Sequence, residues 1–243
     1  MDRTDREHSE TLARENDVQS AEIPLTEQLR LKVLRAYDIL DTDAEVDFDK
    51  LTRLAAQICG TSIALISFVD EDRQWFKSAH GLDTPETPRE QAFCAHAILE
   101  HDAIFSVPDA RADARFKDNP LVTGAPHIRF YAGYPLVPEE GEALGTLCVL
   151  DREPRMLDAR QQEALKVLAQ SVVTLLQTRK TARRLRGALS FQKLLLDSLP
   201  FSIFVKDQHS RIINANASFL SQWPDDLQGT VIGTQALGRF DAE

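Results

Sequence analysis

The apolar positions along the chain recur at two spacings, and the change from one to the other divides the sequence into predicted elements. Apolar residues repeat every three or four positions over residues 29–40 and 48–58, which predicts two amphipathic helices before Gly60. The next run, residues 61–69, is apolar on both alternating faces, as is typical of a central strand covered on both sides. The pattern predicts a buried strand that follows two helices.

Later segments with the two-residue spacing predict a mostly antiparallel sheet. Thr87, Pro88 and Glu90 have the order of an N-cap, a first helical residue and a capping-box acid, which predicts a helix that runs to about Leu99. The further strands are expected at residues 74–79, 104–107, 130–137 and 143–151. The predicted fold class is therefore α+β, with helices before, between and after the strands.

A long helix is predicted after the sheet. Asp158 and Gln161 can cap it, and no breaker follows until Pro200. Its apolar seam lacks an obvious cover, which predicts a parallel homodimer through a coiled coil over residues 158–196. The seam comprises Leu165, Leu168, Val172 and Leu175 and, in a shifted register, Leu189, Gln192, Leu196 and Leu199. Two short strands and a helix are expected beyond Pro200.

Charge and cysteine content narrow the classes of partner. The 38 acidic against 28 basic residues give a net charge of −10, which argues against nucleic acid and anionic membranes as partners. Cys59, Cys94 and Cys148 are odd in number and widely spaced, so neither a disulfide framework nor a metal knuckle is predicted. With no spanning segment or signal peptide recognised, a cytoplasmic protein is expected.

Several ordered motifs over residues 25–179 carry a family resemblance. They include Asp72-Arg73-Gln74-Trp75-Phe76-Lys77, Phe93-Cys94-Ala95-His96, Arg129-Phe130-Tyr131-Ala132-Gly133 and Gly145-Thr146-Leu147-Cys148. This region resembles the GAF domain of bacterial signalling proteins. Residues 195–243 resemble the opening of a PAS domain, through Ile203-Phe204-Val205-Lys206-Asp207 and Arg211-Ile212-Ile213-Asn214-Ala215-Asn216-Ala217.

The resemblance implies an order of domains and a function. We expect a disordered tail at residues 1–22, a GAF domain at 25–157, a signalling helix at 158–198 and the first half of a PAS domain at 199–243. This order resembles the sensory front of a two-component histidine kinase or a diguanylate cyclase. Because no catalytic output motif is recognised, the expected role is non-enzymatic sensing, with a downstream kinase or cyclase as partner.

The resemblance also implies a small-molecule pocket between the sheet and the segments that cross it. No cofactor is identified from the sequence. The aromatic candidates are also expected as ordinary core residues, whereas a half-buried guanidinium at Arg129 requires an anionic partner. The candidate ligand-binding residues are Phe68, Trp75, Phe93, Cys94, His96, Arg129, Tyr131 and Tyr134.

Cys94 and His96 could pair as nucleophile and base, but two positions apart on a helix they face different sides. A structural role for the Cys94 thiol is therefore favoured. A zinc site formed by Cys94, His96 and His101 fails on geometry, because structural zinc needs four convergent ligands. In bilin-binding relatives of the family the attachment cysteine is usually followed directly by histidine, so Ala95 between Cys94 and His96 argues against an attached bilin. Two alternatives stay open: a thiol-dependent enzyme of the free methionine sulfoxide reductase type, which needs several cysteines in one pocket, and a truncated receptor that retains only dimerisation.

Overall fold

Two structural units make up the chain, and they divide after Lys180. The structure, a computed structural model, describes residues 20–23 and 26–234. The predicted disordered tail at residues 1–22 therefore falls almost entirely outside the described residues. Within the described ranges, none of the helices has the length and apolar character needed to span a bilayer.

The first unit contains a six-stranded sheet in the order β3-β2-β1-β6-β5-β4, with every neighbouring pair antiparallel. The α+β class with a mostly antiparallel sheet and a long helix is thus confirmed. The elements are α1 (Glu27–Tyr37), α2 (Val46–Cys59), β1 (Ile63–Val69), β2 (Arg73–His80), β3 (Glu86–Pro88), a 3₁₀ turn (Arg89–Gln91), α3 (Phe93–Ala97), β4 (Phe105–Val107), α4 (Pro120–Thr123), β5 (Phe130–Pro135), β6 (Gly145–Asp151) and α5 (Ala159–Asp197), which continues past Lys180.

Strands β1 and β6 are buried along their whole length because both faces of the sheet are covered. On one face, residues such as Phe68 and Leu147 pack in a cluster with α1, α2 and the first half of α5. On the other face, residues such as Leu65 and Cys148 pack with α3, α4 and the loops around them. Alternate residues of one strand therefore belong to two different cores.

Helix α5 begins with the predicted cap and packs on the sheet. Asp158 Oδ1 accepts from the Gln161 backbone N–H at 2.8 Å, and Gln161 Oε1 accepts from the Asp158 N–H at 3.0 Å. Leu165 and Val172 are fully buried against the chain's own sheet, and Leu168 is 8% exposed. This part of the seam therefore has a cover within the chain, and the reason given for assigning it to a second copy was wrong.

The predicted helix start at Thr87 is also wrong. Thr87 and Pro88 form the edge strand β3, where they pair with Gln74 and Arg73 of β2. An edge strand tolerates proline, and the residue before a proline prefers extended backbone, so the same letters fit both structures. The helix that follows is only Phe93–Ala97.

The second unit contains a β-hairpin and two short helices. Its elements are β7 (Phe204–Lys206), β8 (Ile212–Ala215), α6 (Ala217–Leu220) and α7 (Asp225–Val231). Ile212, Phe219 and Val231 form its small core, and the Asn216 side chain caps α6 by accepting from the Phe219 N–H. The domain boundaries and the PAS assignment stay predictions, and residues 235–243 lie outside the described part.

Candidate functional site

A cavity of about 220 Å³ lies on the α3 face of the sheet. Strands β1, β2, β5 and β6 form its floor, while β3 with the preceding loop and the segment around α4 form its walls. The lining is mainly apolar, which is typical of small-molecule sites. The lining residues are Ile63, Leu65, Gln74, Phe76, Leu82, Thr84, Glu86, Thr87, Pro88, Phe93, Cys94, Leu121, Ala125, Pro126, Ile128, Tyr131, Cys148 and Leu150.

Few polar groups reach the cavity, and they are mostly uncharged. Gln74 is buried, and the buried Thr87 Oγ1 has no hydrogen-bond partner within the described residues. Glu86 already accepts a hydrogen bond from Arg73 Nη1 at 2.6 Å. Since the described lining includes neither lysine nor arginine, the cavity presents hydrogen-bonding groups without a cationic site for phosphate.

Cys94 is one of the residues that line the cavity, and its sulfur lies within a set of hydroxyl donors. It accepts hydrogen bonds from Thr146 Oγ1 at 3.0 Å, from Ser67 Oγ at 3.2 Å and from Tyr131 Oη at 3.2 Å. Ser67 and Thr146 are register partners in β1 and β6, so the strand pairing brings both hydroxyls to one sulfur. The arrangement favours a sulfur that carries negative charge.

Tyr131 reaches this sulfur because residue 133 is a glycine. Tyr131 and Gly133 lie on the same face of β5, two positions apart. A Cβ atom at position 133 would overlap the phenol oxygen of Tyr131. The ring itself is held by Phe93, whose centroid lies 5.3 Å away. The glycine therefore provides the space in which the hydroxyl is aimed at Cys94.

Cys94 and Cys148 differ in their ease of ionisation. Their Sγ atoms are 3.8 Å apart. Burial opposes ionisation of Cys94, but the hydrogen bonds from Cys148 and the three hydroxyls outweigh it and lower the pKa of Cys94. Burial raises the pKa of Cys148, and its contact with Cys94 raises it further. Cys94 is therefore the thiol of the pair that ionises first.

The structure divides the candidate ligand-binding residues between the two faces of the sheet. Phe93, Cys94 and Tyr131 come together at the cavity. By contrast, Phe68, Trp75 and Tyr134 belong to the core on the opposite face. Tyr134 Oη donates to Asp102 Oδ1 at 2.9 Å, which places its hydroxyl away from the cavity.

His96 and Arg129 lie outside the cavity lining. The ring of His96 packs edge-on against Phe116, with centroids 4.8 Å apart. Arg129 Nη1 donates to the carbonyl oxygens of Val122 at 2.7 Å and Ile128 at 3.0 Å. These contacts hold the segment after α4. The hydrogen bond from Arg111 lowers the pKa of the nearby Asp109 carboxyl, and the charge of Arg129 also helps to lower it.

Sequence reasoning missed Ser67, Thr146 and Cys148 as parts of the site. Ser67 was treated as one position in an apolar strand, Thr146 as part of a family motif, and Cys148 as one of three cysteines available to a thiol enzyme. The available signal was the two-residue spacing of Thr146 and Cys148, which puts both on one face of β6. Their meeting with Cys94 depends on the packing of α3 on the sheet, which no local pattern encodes.

Comparison with known proteins gives matches over the first unit. The family model described as the GAF domain matches residues 43–176. The cyclic di-GMP phosphodiesterase PA2567 of Pseudomonas aeruginosa is 48% identical over 132 residues, which cover 54% of this chain and 22% of that protein. This chain thus spans about a fifth of the length of that relative.

Two solved structures are also similar. The GAF domain of an Acinetobacter phosphoenolpyruvate-protein phosphotransferase aligns with a TM-score of 0.46 at 16% identity, covering 64% of this chain and 98% of that one. The bacteriophytochrome RpBphP3 of R. palustris aligns with a TM-score of 0.47 at 13% identity, covering 74% and 44%.

The Pseudomonas relative overturns the expectation of a purely non-enzymatic protein. That relative is named as an enzyme, and it contains a segment nearly half identical to this chain. The recognition of a GAF domain is confirmed, because the family model covers more than half of the sequence. The chain belongs to the GAF domain family.

Proposed function

We propose that this chain is the sensory part of a cyclic di-GMP phosphodiesterase and that it binds a small neutral molecule in the Cys94 cavity. The observation that carries the proposal is the cavity itself, an apolar space lined by Cys94 and by Thr87, whose buried hydroxyl has no hydrogen-bond partner within the described residues. Ligand sites combine an apolar lining with a few oriented polar groups.

The chemistry of the lining selects the class of ligand. Thr87 and Gln74 offer hydrogen bonds, while the carboxylate of Glu86 is already paired with Arg73. A phosphate or carboxylate would enter without a cationic partner from the described lining and would lose its hydration. A cyclic dinucleotide is therefore disfavoured as the occupant, and a small neutral molecule with one or two polar groups is favoured.

Strand β6 offers a route from the cavity to helix α5. Cys148 faces the cavity, whereas its neighbours Leu147 and Val149 face the opposite core. That core includes Leu165 and Val172 of α5. A ligand that shifts β6 would therefore move the surface on which α5 is packed, because well-packed cores transmit small displacements.

The proposed output is hydrolysis of cyclic di-GMP, in place of the kinase or cyclase expected from the sequence. The support is the Pseudomonas relative, of which this chain matches 22%. In this proposal, the matched segment regulates and the phosphodiesterase chemistry belongs to another part of such a protein. The structural change caused by ligand binding would be transmitted through α5 to that other part.

We keep the parallel homodimer as part of the proposal, and we restrict its seam to the later part of α5. Leu189 and Leu194 are 55% and 66% exposed there. Leu189 and Leu196 are seven positions apart, as in a heptad repeat. A second copy of the same helix would cover this seam.

Ligand binding can be tested with indole and indole-3-carboxylate, which share a ring and differ in charge. Native mass spectrometry and thermal shift would be applied to the full chain and to Leu121→Trp, which fills the cavity from its half-exposed wall. We expect indole to bind the wild-type chain more tightly than the carboxylate and to lose affinity in Leu121→Trp. Equal binding of both probes to both proteins would contradict the proposed site.

A thiol-dependent enzyme of the free methionine sulfoxide reductase type is the second candidate. It is favoured by the convergence of Cys94 and Cys148 at one cavity. It is placed second because free methionine sulfoxide carries both a carboxylate and an ammonium group, and the described lining offers only the paired carboxylate of Glu86. Release of methionine from its sulfoxide in the presence of a thiol reductant would establish it.

A further inference from the structure

The cavity lining contains two cysteines whose chemistry the proposed ligand binding does not use. Cys94 comes from α3 and Cys148 from β6, and their Sγ atoms are 3.8 Å apart, close to van der Waals contact. A disulfide has an S–S length of about 2.05 Å, so closing the pair requires a relative movement of less than about 2 Å. Both cysteines are among the residues that line the cavity, and both are buried.

We infer that Cys94 and Cys148 form a dithiol which a small hydroperoxide entering the cavity converts to a disulfide. The inference rests on the proposed function only for its regulatory meaning, since the thiol chemistry requires the cavity alone. The modification would join α3 to the central strand β6. It would thereby change the lining of the ligand site according to the supply of peroxide.

The first step takes place at Cys94. Its thiolate sulfur attacks the distal oxygen of the hydroperoxide, an S–O bond forms and the O–O bond breaks. The departing alkoxide takes up the proton that the Cys94 thiol released on ionising and leaves as the alcohol, so the sulfur becomes a sulfenic acid. The hydroxyl groups of Ser67, Thr146 and Tyr131 support the attacking sulfur by donating hydrogen bonds to its negative charge.

The second step takes place at Cys148. Its sulfur attacks the Cys94 sulfur, the S–S bond forms and the S–O bond breaks. The thiol proton of Cys148 leaves with the hydroxyl group as water. The sum is two thiols and one hydroperoxide giving one disulfide, one alcohol and one water.

The surrounding hydroxyls can accommodate the change in the sulfur. Ser67 Oγ and Thr146 Oγ1 are 3.2 Å apart, and Tyr131 Oη is 3.4 Å from the same Thr146 oxygen. When Cys94 loses its charge, each hydroxyl still has another hydroxyl as a partner. Oxidation therefore leaves few buried donors unsatisfied, which lowers the energetic cost of the oxidised state.

Cys59 provides an internal control thiol. It lies in the core on the opposite face of the sheet, and burial together with the nearby charge of Asp158 raises the pKa of Cys59 to about 11. A buried thiol in that state is a poor nucleophile. Selective oxidation of the other two cysteines would therefore reflect their site and not general exposure to peroxide.

The test is disulfide mapping of the full reduced chain after a short exposure to hydrogen peroxide or tert-butyl hydroperoxide. Free thiols are alkylated under denaturing conditions, and the masses of the proteolytic peptides are measured by mass spectrometry. We expect a peptide pair linked through Cys94 and Cys148 that has lost two hydrogens, with Cys59 alkylated and with full reversal by dithiothreitol. Absence of that linked pair, or preferential oxidation of Cys59, would overturn the inference.

Variants separate the two steps. Cys148→Ala should stop at a sulfenic acid on Cys94 that dimedone captures, Cys94→Ala should give neither product, and Cys59→Ser should behave as the wild type. Thr146→Val keeps the side-chain shape and removes one donor, so the first step should slow about tenfold. If dimedone captured Cys148 in Cys94→Ala as fast as it captures Cys94 in Cys148→Ala, the assigned roles would be reversed and the mechanism overturned.

The same samples distinguish this inference from the proposed function. Indole binding to the reduced wild-type chain without any disulfide formation would refute only the dithiol. Disulfide formation without indole binding would refute only the neutral-ligand site.

Discussion

Arg179 of α5 donates a hydrogen bond from Nε to Glu45 Oε1 at 2.9 Å, and so joins the long helix to the residue that precedes α2. The same carboxylate oxygen accepts from Lys77 Nζ at 2.8 Å. The Lys77 side chain is fully buried, so its charge depends on the partners that surround it. Glu45 therefore connects α2, the sheet and α5 through one carboxylate.

Removal of this carboxylate should destabilise the first unit. We expect Glu45→Ala to lower the free energy of unfolding by about 1–2 kcal/mol, because Lys77 and Arg179 each lose a charged partner. The effect is limited to this size because the Glu45 side chain is 40% exposed and solvent screens its charge. Lys50→Ala, which breaks an exposed pair with Asp47, is the matched control and should change it by less than about 0.5 kcal/mol. Urea unfolding measures both, and equal effects would contradict this role.

Glu27 should make the stability of the first unit depend on acid. Burial would raise the pKa of Glu27, but hydrogen bonds from Arg30 and Arg89 outweigh it and lower that pKa from 4.5 to about 2. A carboxyl whose pKa is lower in the folded state stabilises it fully above pH 4.5 and loses this contribution as the pH falls towards 2.

The contribution of Glu27 at neutral pH is at most about 3.4 kcal/mol by the pKa difference. Urea unfolding of the wild type between pH 6 and pH 3 should therefore show a steeper loss of stability than that of Glu27→Gln. Glu100→Gln, at an exposed position, serves as the control. A Glu27→Gln curve parallel to the wild-type curve would refute the prediction.

Gly133 should not tolerate even a methyl group. A Cβ atom there overlaps the phenol oxygen of Tyr131, so Gly133→Ala should destabilise the first unit by about 1–3 kcal/mol and displace the hydroxyl from Cys94. Gly187→Ala is the opposite case, because nothing lies within 4 Å of its Cβ position on α5. It should be neutral or stabilise the helix by up to about 1 kcal/mol. Thermal unfolding compares the two, and a stable Gly133→Ala would show that Tyr131 can lie elsewhere.

The proposed dimer is tested best in the second half of α5. Leu168→Glu would not be a suitable test, because Leu168 packs on the sheet and the variant should disrupt the core of the first unit. Leu189→Glu changes an exposed leucine and should convert the dimer to a monomer in light scattering. Arg184→Glu, also exposed, should keep the dimeric mass. A wild-type monomer at tens of micromolar would end the dimer proposal.

The second unit should open more readily than the first. Among its described residues, the core has three buried hydrophobic side chains, and Phe201 and Val205 are 57% and 48% exposed. Limited proteolysis should therefore trim the chain towards Leu199 and leave residues 26–176 intact, because cleavage follows local opening. Amide protection at residues 203–205 equal to that at 64–68 would contradict this.

The sequence was informative where a structure depends on neighbouring residues. The run at residues 61–69 predicts the buried strand β1, and Asp158 with Gln161 predicts the cap of α5. The prediction of a helix start at Thr87 and Pro88 was wrong because an edge strand and a helix start accept the same two residues. The meeting of Cys94 with Cys148 depends on how a helix packs on a strand 54 positions away, and spacing along the chain carries no signal for it.

The central claim is that ligand binding in the cavity changes the local stability of α5, and amide hydrogen exchange measures this change directly. The full chain would be compared with Leu121→Trp in the absence and presence of indole and of a panel of similarly small neutral molecules. The account predicts that a binder slows exchange in β2 and β6 and also in α5 residues 165–176 of the wild type, with no change in Leu121→Trp. If no member of the panel protects the wild type more than Leu121→Trp, or if protection is confined to the cavity strands, the sensory account is contradicted.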